Sequence, residues 1–210
     1  KLKSLDKILN SNVSEIGFNK HNNEAYSKLS TIGVTTNSKN FDKFDCDSYI
    51  SDTNNLKSKK SFGKYISSKD TNATVQKFDF FVISDPEKSN INYLSYEKPI
   101  GLQISHESKI NDLRLSTLDS LNFDICIYEA IKMSVLNLSN ILNVKDKINS
   151  IRSNWFIYLD EKVYSEENLQ FIYDLGFIGI VINLDKINIG DYKNLKKKLS
   201  KVKDSKNGKI

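Results

Sequence analysis

Eight short runs of β-forming residues recur along this chain, and they constrain its fold more than any other feature. Each run follows a polar stretch and ends at a polar residue. Several are apolar nearly throughout, as in Phe80-Phe81-Val82-Ile83, which is typical of strands covered on both faces. The predicted strands are 32–36, 48–51, 63–67, 78–84, 100–105, 123–129, 155–160 and 177–183.

The runs also alternate between two sequence types. The second, fourth and sixth are entered through Phe-Asp, whereas the first, third and fifth contain an early glycine. In a closed barrel of eight parallel strands, alternate strands fill alternate interior layers, so a two-strand period is expected. The sequence therefore predicts a closed α/β barrel of the (β/α)8 type. The residues of the pattern are Asp45, Asp79 and Asp124 on one side and Gly33, Gly63 and Gly101 on the other.

The connections between runs are long enough for a turn and one helix. Apolar faces predict helices after the last four strands, within 110–121, 135–148, 165–175 and 192–202; Ser165 is the expected cap of the third and Gly176 its stop. The first three connections are short and polar, which predicts short or missing helices in the N-terminal half. Ahead of the barrel, 4–9 reads as a helix and 13–18 as an extra strand beneath it.

Length and composition fit one globular domain. With 210 residues, 39% hydrophobic and 27% charged, the chain can bury a core of its own. We expect a single barrel domain over 1–203 and a basic, flexible tail over 204–210. Two cysteines are too few for a disulfide framework, and no long apolar run or leader pattern occurs, so we expect a cytoplasmic protein without a membrane partner.

The net charge of +5 is concentrated at the C-terminus. Residues 191–210 hold eight lysines against two aspartates, so the preceding part is close to neutral. Only two arginines, Arg114 and Arg152, occur in the whole chain. Nucleic acid is therefore a disfavoured partner, because it requires a basic surface on the folded body. The partner predicted instead is a protein or a small molecule, and the oligomeric state is left open.

The arrangement of runs resembles the phosphate-binding class of small (β/α)8, TIM-type barrels in a degenerate form. The opening Ser4-Leu5-Asp6-Lys7-Ile8-Leu9 and Val13-Ser14-Glu15-Ile16-Gly17-Phe18 is similar to an uncharacterised bacterial family of small barrel proteins. The resemblance implies the architecture and carries no activity with it.

Acidic residues fall at both ends of the predicted strands. Asp45, Asp79 and Asp124 lie at strand entries, where hydrogen bonding to backbone at the barrel floor is the expected role. Barrel enzymes place their chemistry at the opposite, C-terminal ends. The acids delivered to that rim are Asp52, Asp85, Glu129, Asp160, Glu161 and Asp185.

From this rim we predict a candidate site. Glu129 and Asp160 are the candidate catalytic carboxylates and His106, after the fifth strand, the candidate proton donor. Asp85, Glu129 and Asp160 are candidate ligands of a divalent cation, the one cofactor that the pattern suggests. The alternative for such acids is helix capping, as for Asp85 before Pro86. Cys46 and Cys126 are expected to be packing residues within strands.

Missing motifs shape the functional hypotheses. The turns after the last two strands carry Asp160-Glu161 and Asp185 where a phosphate-binding barrel needs glycines, and no dinucleotide or P-loop fingerprint occurs, so no nucleotide cofactor is expected. The first hypothesis is a degenerate barrel that acts as a non-catalytic scaffold or interaction module through its lysine-rich end. The alternative is a small-molecule lyase or isomerase that uses the acidic rim. Whether the chain is an enzyme stays open at this point.

Overall fold

A computed structural model describes residues 29–36, 41–51, 60–66, 70–71, 76–86, 89–95, 97–107, 112–132, 137–159 and 164–203. Eight parallel strands, each paired with the next in sequence, close into a ring when the last strand pairs with the first. The strands are β1 (Ser30–Thr35), β2 (Ser48–Ser51), β3 (Ser61–Ile66), β4 (Phe80–Ile83), β5 (Ile100–Ser105), β6 (Ile125–Ile131), β7 (Asn154–Leu159) and β8 (Gly179–Asn183).

The barrel and all eight strands predicted from the sequence are confirmed. β2 and β5 have the predicted bounds, and the other strands differ by one or two residues at an end. Most positions of the strands are buried on both faces, and β2 and β4 are buried throughout, which explains why their sequences read as apolar runs and not as alternating ones.

Four α-helices follow the last four strands, as predicted. They are α1 (Asp112–Ser120), α2 (Leu138–Ser150), α3 (Glu166–Asp174) and α4 (Ile189–Leu199). The side chain of Ser165 accepts a hydrogen bond from the Asn168 N–H at the start of α3, and Gly176 after it has φ +102°, which glycine adopts without a steric penalty. The predicted cap and stop are both confirmed.

The first half of the ring has little helical cover within the described residues. A 3-10 helix (Phe41–Lys43) precedes β2 and another (Ile91–Ser95) precedes β5. An ion pair helps to cover β3 instead: Lys64 Nζ lies 2.6 Å from Asp70 Oδ1, and both side chains are nearly nine-tenths buried. The expectation of short helices in this half is confirmed for these segments.

The apolar residues form two separate clusters. One lies between the strands and the helices, and the other lies inside the ring. Alternate residues of a strand belong to different clusters, as the pleat of a strand requires. The interior cluster consists of Ile32, Ile50, Phe80, Val82, Ile125, Ile127, Phe156 and Val181.

Glycines make room for the two phenylalanines inside the ring. Gly63 is paired with Phe80 across β3 and β4, and Gly179 with Phe156 across β7 and β8. A Cβ atom on either glycine would collide with the ring of its phenylalanine. Gly33 differs, because its Cβ would point towards the outer residues Leu184 and Cys46. The glycine pattern of the sequence therefore mixes inward and outward positions.

Three aspartates repeat one arrangement at the barrel floor. Each directly precedes an even-numbered strand, and its carboxylate accepts a hydrogen bond from a backbone N–H at the start of the preceding strand. Each aspartate N–H in turn donates to the carbonyl of that same residue. The pairs are Asp47 with Thr31, Asp79 with Phe62, and Asp124 with Ile100.

The predicted floor role is confirmed for Asp79 and Asp124 but is wrong for Asp45. The exposed carboxylate of Asp45 forms an ion pair with Lys60 instead. Asp47 takes the floor position because β2 begins at Ser48, three residues after Asp45, whereas β4 and β6 begin directly after Asp79 and Asp124. The Phe-Asp motif is therefore out of register in this one strand.

We expect Asp124→Ala to lower the free energy of unfolding by about 2 kcal/mol, because it leaves the Ile100 N–H without its charged acceptor at 2.8 Å. For a chain of this length that corresponds to a fall of about 4–8 °C in Tm, measurable by circular dichroism. Asp45→Ala is the matched control and should cost less than about 1 kcal/mol, because its ion pair is exposed. Equal losses in the two variants would contradict the floor assignment.

Two further expectations fall outside the described residues: the helix at 4–9 with the strand at 13–18, and the tail at 204–210. Among the described residues, no helix has the length and apolar character needed to cross a membrane.

Candidate functional site

A small cavity opens at the C-terminal ends of the strands, inside the ring. Its volume is about 290 Å³, near the lower limit for ligand pockets. We call it the mouth cavity. Its described lining comes from six strands or strand ends: Val34, Tyr65, Ser84, Gln103, Glu129 and Tyr158.

Glu129 is the carboxylate in this described lining. It lies on β6 in the same alternation as Ile125 and Ile127, which face the interior, so the pleat points it inwards as well. Gln103 of the neighbouring β5 donates a hydrogen bond from Nε2 to Glu129 Oε2 at 3.0 Å. The amide therefore orients the carboxylate while leaving Oε1 without a donor among the described residues.

A β-bulge follows Glu129 immediately. Glu129 is paired with Tyr158 and Ile131 with Leu159, so Ala130 is an extra residue in β6. Bulges bend a strand locally and re-aim the side chains beside them. The bulge thus ends the regular pairing at the residue that carries the carboxylate.

The neighbouring wall is held in place by Asn183 at the end of β8. Its Nδ2 donates to the Tyr158 hydroxyl at 3.4 Å, and its Oδ1 accepts from the Asp185 N–H at 3.0 Å. Tyr158 therefore has a hydroxyl of defined position on the cavity wall, next to β6 in the ring.

The cavity does not continue through the barrel. Phe80, Val82, Ile127 and Phe156 belong to the interior cluster and are essentially inaccessible to solvent. A ligand in the mouth would therefore meet polar groups at the sides and an apolar layer beneath.

The site residues predicted from the sequence lie in different places in the structure. Glu129 lies in the mouth, whereas Asp160 falls outside the described residues. Along β5 the side chains alternate, so Gln103 faces the mouth and Ile104 faces outwards. His106, which directly follows the strand, continues the outward series and does not line the mouth cavity. Its Nδ1 is buried with no hydrogen-bond partner among the described residues. The structure does not bring His106 and Glu129 side chains together, because they lie on opposite faces of the barrel wall.

The metal prediction finds no cluster within the part of the chain that is described. No three His, Cys, Asp or Glu side chains converge there as a cation site. Asp85 is half-buried in the turn after β4, and its carbonyl accepts a hydrogen bond from Ser89. Pro86 lies in that turn and not at a helix start, so the expected cap-then-proline helix is wrong. With Asp160 undescribed, the cation set of Asp85, Glu129 and Asp160 stays a prediction.

Asp185 takes another role at the seam between β8 and β1. Its Oδ1 accepts from the Thr35 hydroxyl at 2.7 Å, and its Oδ2 accepts from the N–H and the hydroxyl of Thr36, both at 2.8 Å. These residues line a second, outer cavity of about 520 Å³ that also contains Lys43 and Asn188. The carboxylate thus joins the last strand to the first above the ring.

Both cysteines are packing residues, as expected, and both are free and buried. Burial raises the pKa of each thiol to about 12, so neither is a thiolate near neutral pH. Cys126 lies in β6, but Cys46 precedes β2 and is not within a strand.

Sequence reasoning missed Gln103, Tyr65 and Tyr158 in the lining of the mouth cavity, and Asn183, which donates a hydrogen bond to Tyr158. It searched for acids and histidines, whereas these residues reveal themselves only through alternation: each stands at an inward position near the end of its strand. The strand bounds needed for that count differ from the predicted ones by a residue or two in β3, β7 and β8.

Comparisons with known proteins identify the architecture. No protein-family model matches the chain, and no curated protein matches it. Among solved structures it is similar to a tryptophan synthase α-subunit variant from Pyrococcus furiosus, with a TM-score of 0.59 and 9% identity over 84% of this chain and 98% of that one. The chain has a TIM-type barrel.

Two other solved structures support the same fold. A thiamine phosphate pyrophosphorylase from Pyrococcus furiosus has a TM-score of 0.55 and 10% identity, covering 82% of this chain and 96% of that one. An N-acetylmannosamine-6-phosphate 2-epimerase from Clostridium perfringens has a TM-score of 0.51 and 11% identity, covering 88% and 99%. At such identities the likeness is one of fold alone.

Proposed function

We propose that the chain is a small-molecule lyase or isomerase in which Glu129 transfers a proton at the barrel mouth. The observation that carries the proposal is the Gln103–Glu129 pair: a carboxylate inside a concave polar site, oriented by a neighbouring amide. This end of the barrel is where TIM-type enzymes place their chemistry.

The proposed step uses groups of this chain only. The Glu129 carboxylate takes a proton from a carbon or oxygen of the substrate and becomes a neutral carboxyl group. It then returns that proton to a neighbouring atom in an isomerisation, or to a leaving group in an elimination. The Tyr158 hydroxyl, positioned by Asn183, donates a hydrogen bond to the oxygen on which negative charge develops. Gln103 is a positioning residue, because it acts through Glu129.

The scaffold hypothesis stays a prediction, and two contacts weigh against its lysine-rich surface. Lys198 Nζ donates to the Tyr164 carbonyl at 2.6 Å, and Lys201 Nζ lies 2.6 Å from Glu166 Oε1. These lysines attach the C-terminal end of α4 and the residues that follow it to the start of α3, so part of the basic face serves the barrel itself. A pull-down with Lys193→Glu and Lys197→Glu, both exposed on α4, would test what remains of that face.

We expect wild-type protein in D2O to exchange carbon-bound hydrogens of a substrate with solvent deuterium, observed as loss of proton NMR signals. The panel consists of three- to six-carbon hydroxy-aldehydes, hydroxy-ketones and their phosphate esters. Glu129→Gln should slow the exchange by about 10²- to 10⁴-fold, the usual contribution of a general base, while circular dichroism shows an unchanged fold.

Glu107→Gln is the matched control, since it removes the same charge from an exposed glutamate that follows β5. It should leave the exchange rate unaltered. Gln103→Leu should change the pH profile of exchange as well as its rate, which a purely structural role would not do. No exchange with any panel member, or equal rates in wild type and Glu129→Gln, would refute the proposed reaction.

A further inference from the structure

The hydrogen-bonding groups of the mouth carry information about the charge of the ligand. Its described polar lining offers hydroxyls from Ser84, Tyr65 and Tyr158, the amide of Gln103 and the carboxylate of Glu129. No described residue of this lining is basic. An anionic group about 4 Å from Glu129 in such a partly buried site would be repelled strongly enough to weaken binding about a thousandfold.

A cationic group is disfavoured for a different reason, which rests on the proposed function. An ammonium ion paired with Glu129 would stabilise the negative charge of the carboxylate and so would reduce its strength as a base. Hydroxyl groups avoid both problems, because they donate to the carboxylate and accept from the tyrosine and amide donors. Uncharged ligands therefore fit the described lining best.

The seam beside the mouth shows where an anion could otherwise be held. Val34 lines the mouth, and Thr35 and Thr36 follow it directly in the chain. The Thr35 hydroxyl and the N–H and hydroxyl of Thr36 all bind one carboxylate, that of Asp185. Three donors converging on two oxygens is the arrangement that binds a phosphate or carboxylate group. Here the chain supplies the anion itself.

The N-terminus of α4 lies beside this seam, and side chains of the protein itself cap it. The Asn188 side chain accepts from the Asp191 N–H at 2.9 Å and donates to Asp191 Oδ2 at 2.6 Å. The acidic side chain of Asp191 thus lies in the first turn, where a helix favours negative charge. An incoming phosphate would face two carboxylates, those of Asp185 and Asp191.

We infer that the mouth takes a small, uncharged polyhydroxy compound, and that Asp185 excludes phosphorylated ones by holding the seam donors Thr35 and Thr36. The cavity of about 290 Å³ limits the ligand to a small molecule. Asp185 is in this view a specificity-determining residue outside the reacting centre.

The test measures binding by calorimetry and by the shift in Tm. The probes are dihydroxyacetone, erythrose and ribose, each compared with its phosphate ester, together with inorganic phosphate against sodium chloride at equal ionic strength. Wild type and Glu129→Gln should both bind at least one parent compound, with a rise in Tm of about 5–10 °C at a hundred times Kd. The esters should bind at least a hundredfold more weakly than their parents.

Asp185→Ser should release the three donors and reverse the preference. We expect inorganic phosphate to raise the Tm of this variant but not that of wild type. Asp119→Ser is the matched control: it removes an equal charge from the Asp119–Arg152 ion pair, which precedes β7 at the other end of the barrel. It should leave phosphate binding unaltered.

Three outcomes would overturn the inference: wild type binds an ester more tightly than its parent, no parent compound binds, or Asp185→Ser gains no affinity for phosphate. If wild type did bind an ester more tightly, weaker phosphate binding by Lys43→Met would identify Lys43, which lines the outer cavity, as the group responsible. The two proposals fail separately. Glu129-dependent exchange of a phosphate ester would keep the proposed reaction and reject the inference, whereas binding of a parent without exchange would do the reverse.

Discussion

Gly179→Val is expected to destabilise the barrel by about 3 kcal/mol or more, or to prevent its closure. The new Cβ atom would lie 2.6 Å from the carbonyl oxygen of Ser30 and would also collide with the buried ring of Phe156. Ser30 is paired with Gly179 at the point where β1 meets β8, so the backbone cannot retreat without opening the ring. Overpacking of this kind costs more when backbone has to move.

The measurement is urea unfolding followed by circular dichroism, with a fall in Tm of about 6–12 °C as the thermal equivalent. Gly179→Ala provides a second variant if the valine protein does not fold, since it adds the Cβ atom alone. Gly190→Ala is the matched control, because a Cβ atom there meets only the Asn188 side chain at 3.2 Å in an exposed first turn. A Tm for Gly179→Ala equal to that of Gly190→Ala would contradict the steric argument.

Phe80→Ala should lower the free energy of unfolding by about 3–5 kcal/mol, the usual cost of removing a buried aromatic ring. Phe80 fills the interior of the barrel and is fully buried. Gly63→Ala should also destabilise, by about 1–3 kcal/mol, because the added methyl group collides with that ring.

The two positions should be coupled. In a Phe80→Leu background, Gly63→Ala should cost clearly less than it does alone, since the shorter side chain leaves room for the methyl group. Urea unfolding of the four proteins in this cycle gives the coupling free energy. Strictly additive effects would mean that Gly63 is not small for the sake of Phe80.

Much of this architecture can be predicted from short stretches of the sequence. Runs such as Phe80–Ile83 are too apolar and too short for anything but strands covered on both sides, and Ser165 with Gly176 marks both ends of α3. Whether a segment forms a strand depends on the composition of the few residues within it. For that reason the eight strands could be predicted even though some of their ends could not.

The register of the strands was harder to predict, because it depends on partner residues that are distant in sequence. Asp45 follows a phenylalanine as Asp79 and Asp124 do, yet Asp47 is the residue that reaches the neighbouring strand. The same difficulty affected the rim. Glu129 lies near the end of β6, and His106 and Asp185 follow β5 and β8. Glu129 points into the mouth, His106 lies on the outer face, and Asp185 reaches across the seam. A shift of one residue reverses the face of a side chain, so the site required coordinates.

The packed interior beneath the mouth has a kinetic consequence. A molecule that enters at the C-terminal end finds no second exit through the layer that contains Phe80 and Phe156. In the proposed reaction, substrate and product would thus enter and leave through the same opening of the mouth cavity, and neither could pass the other inside it. Product would then inhibit in direct competition with substrate, and turnover could be no faster than the vacating of that single opening.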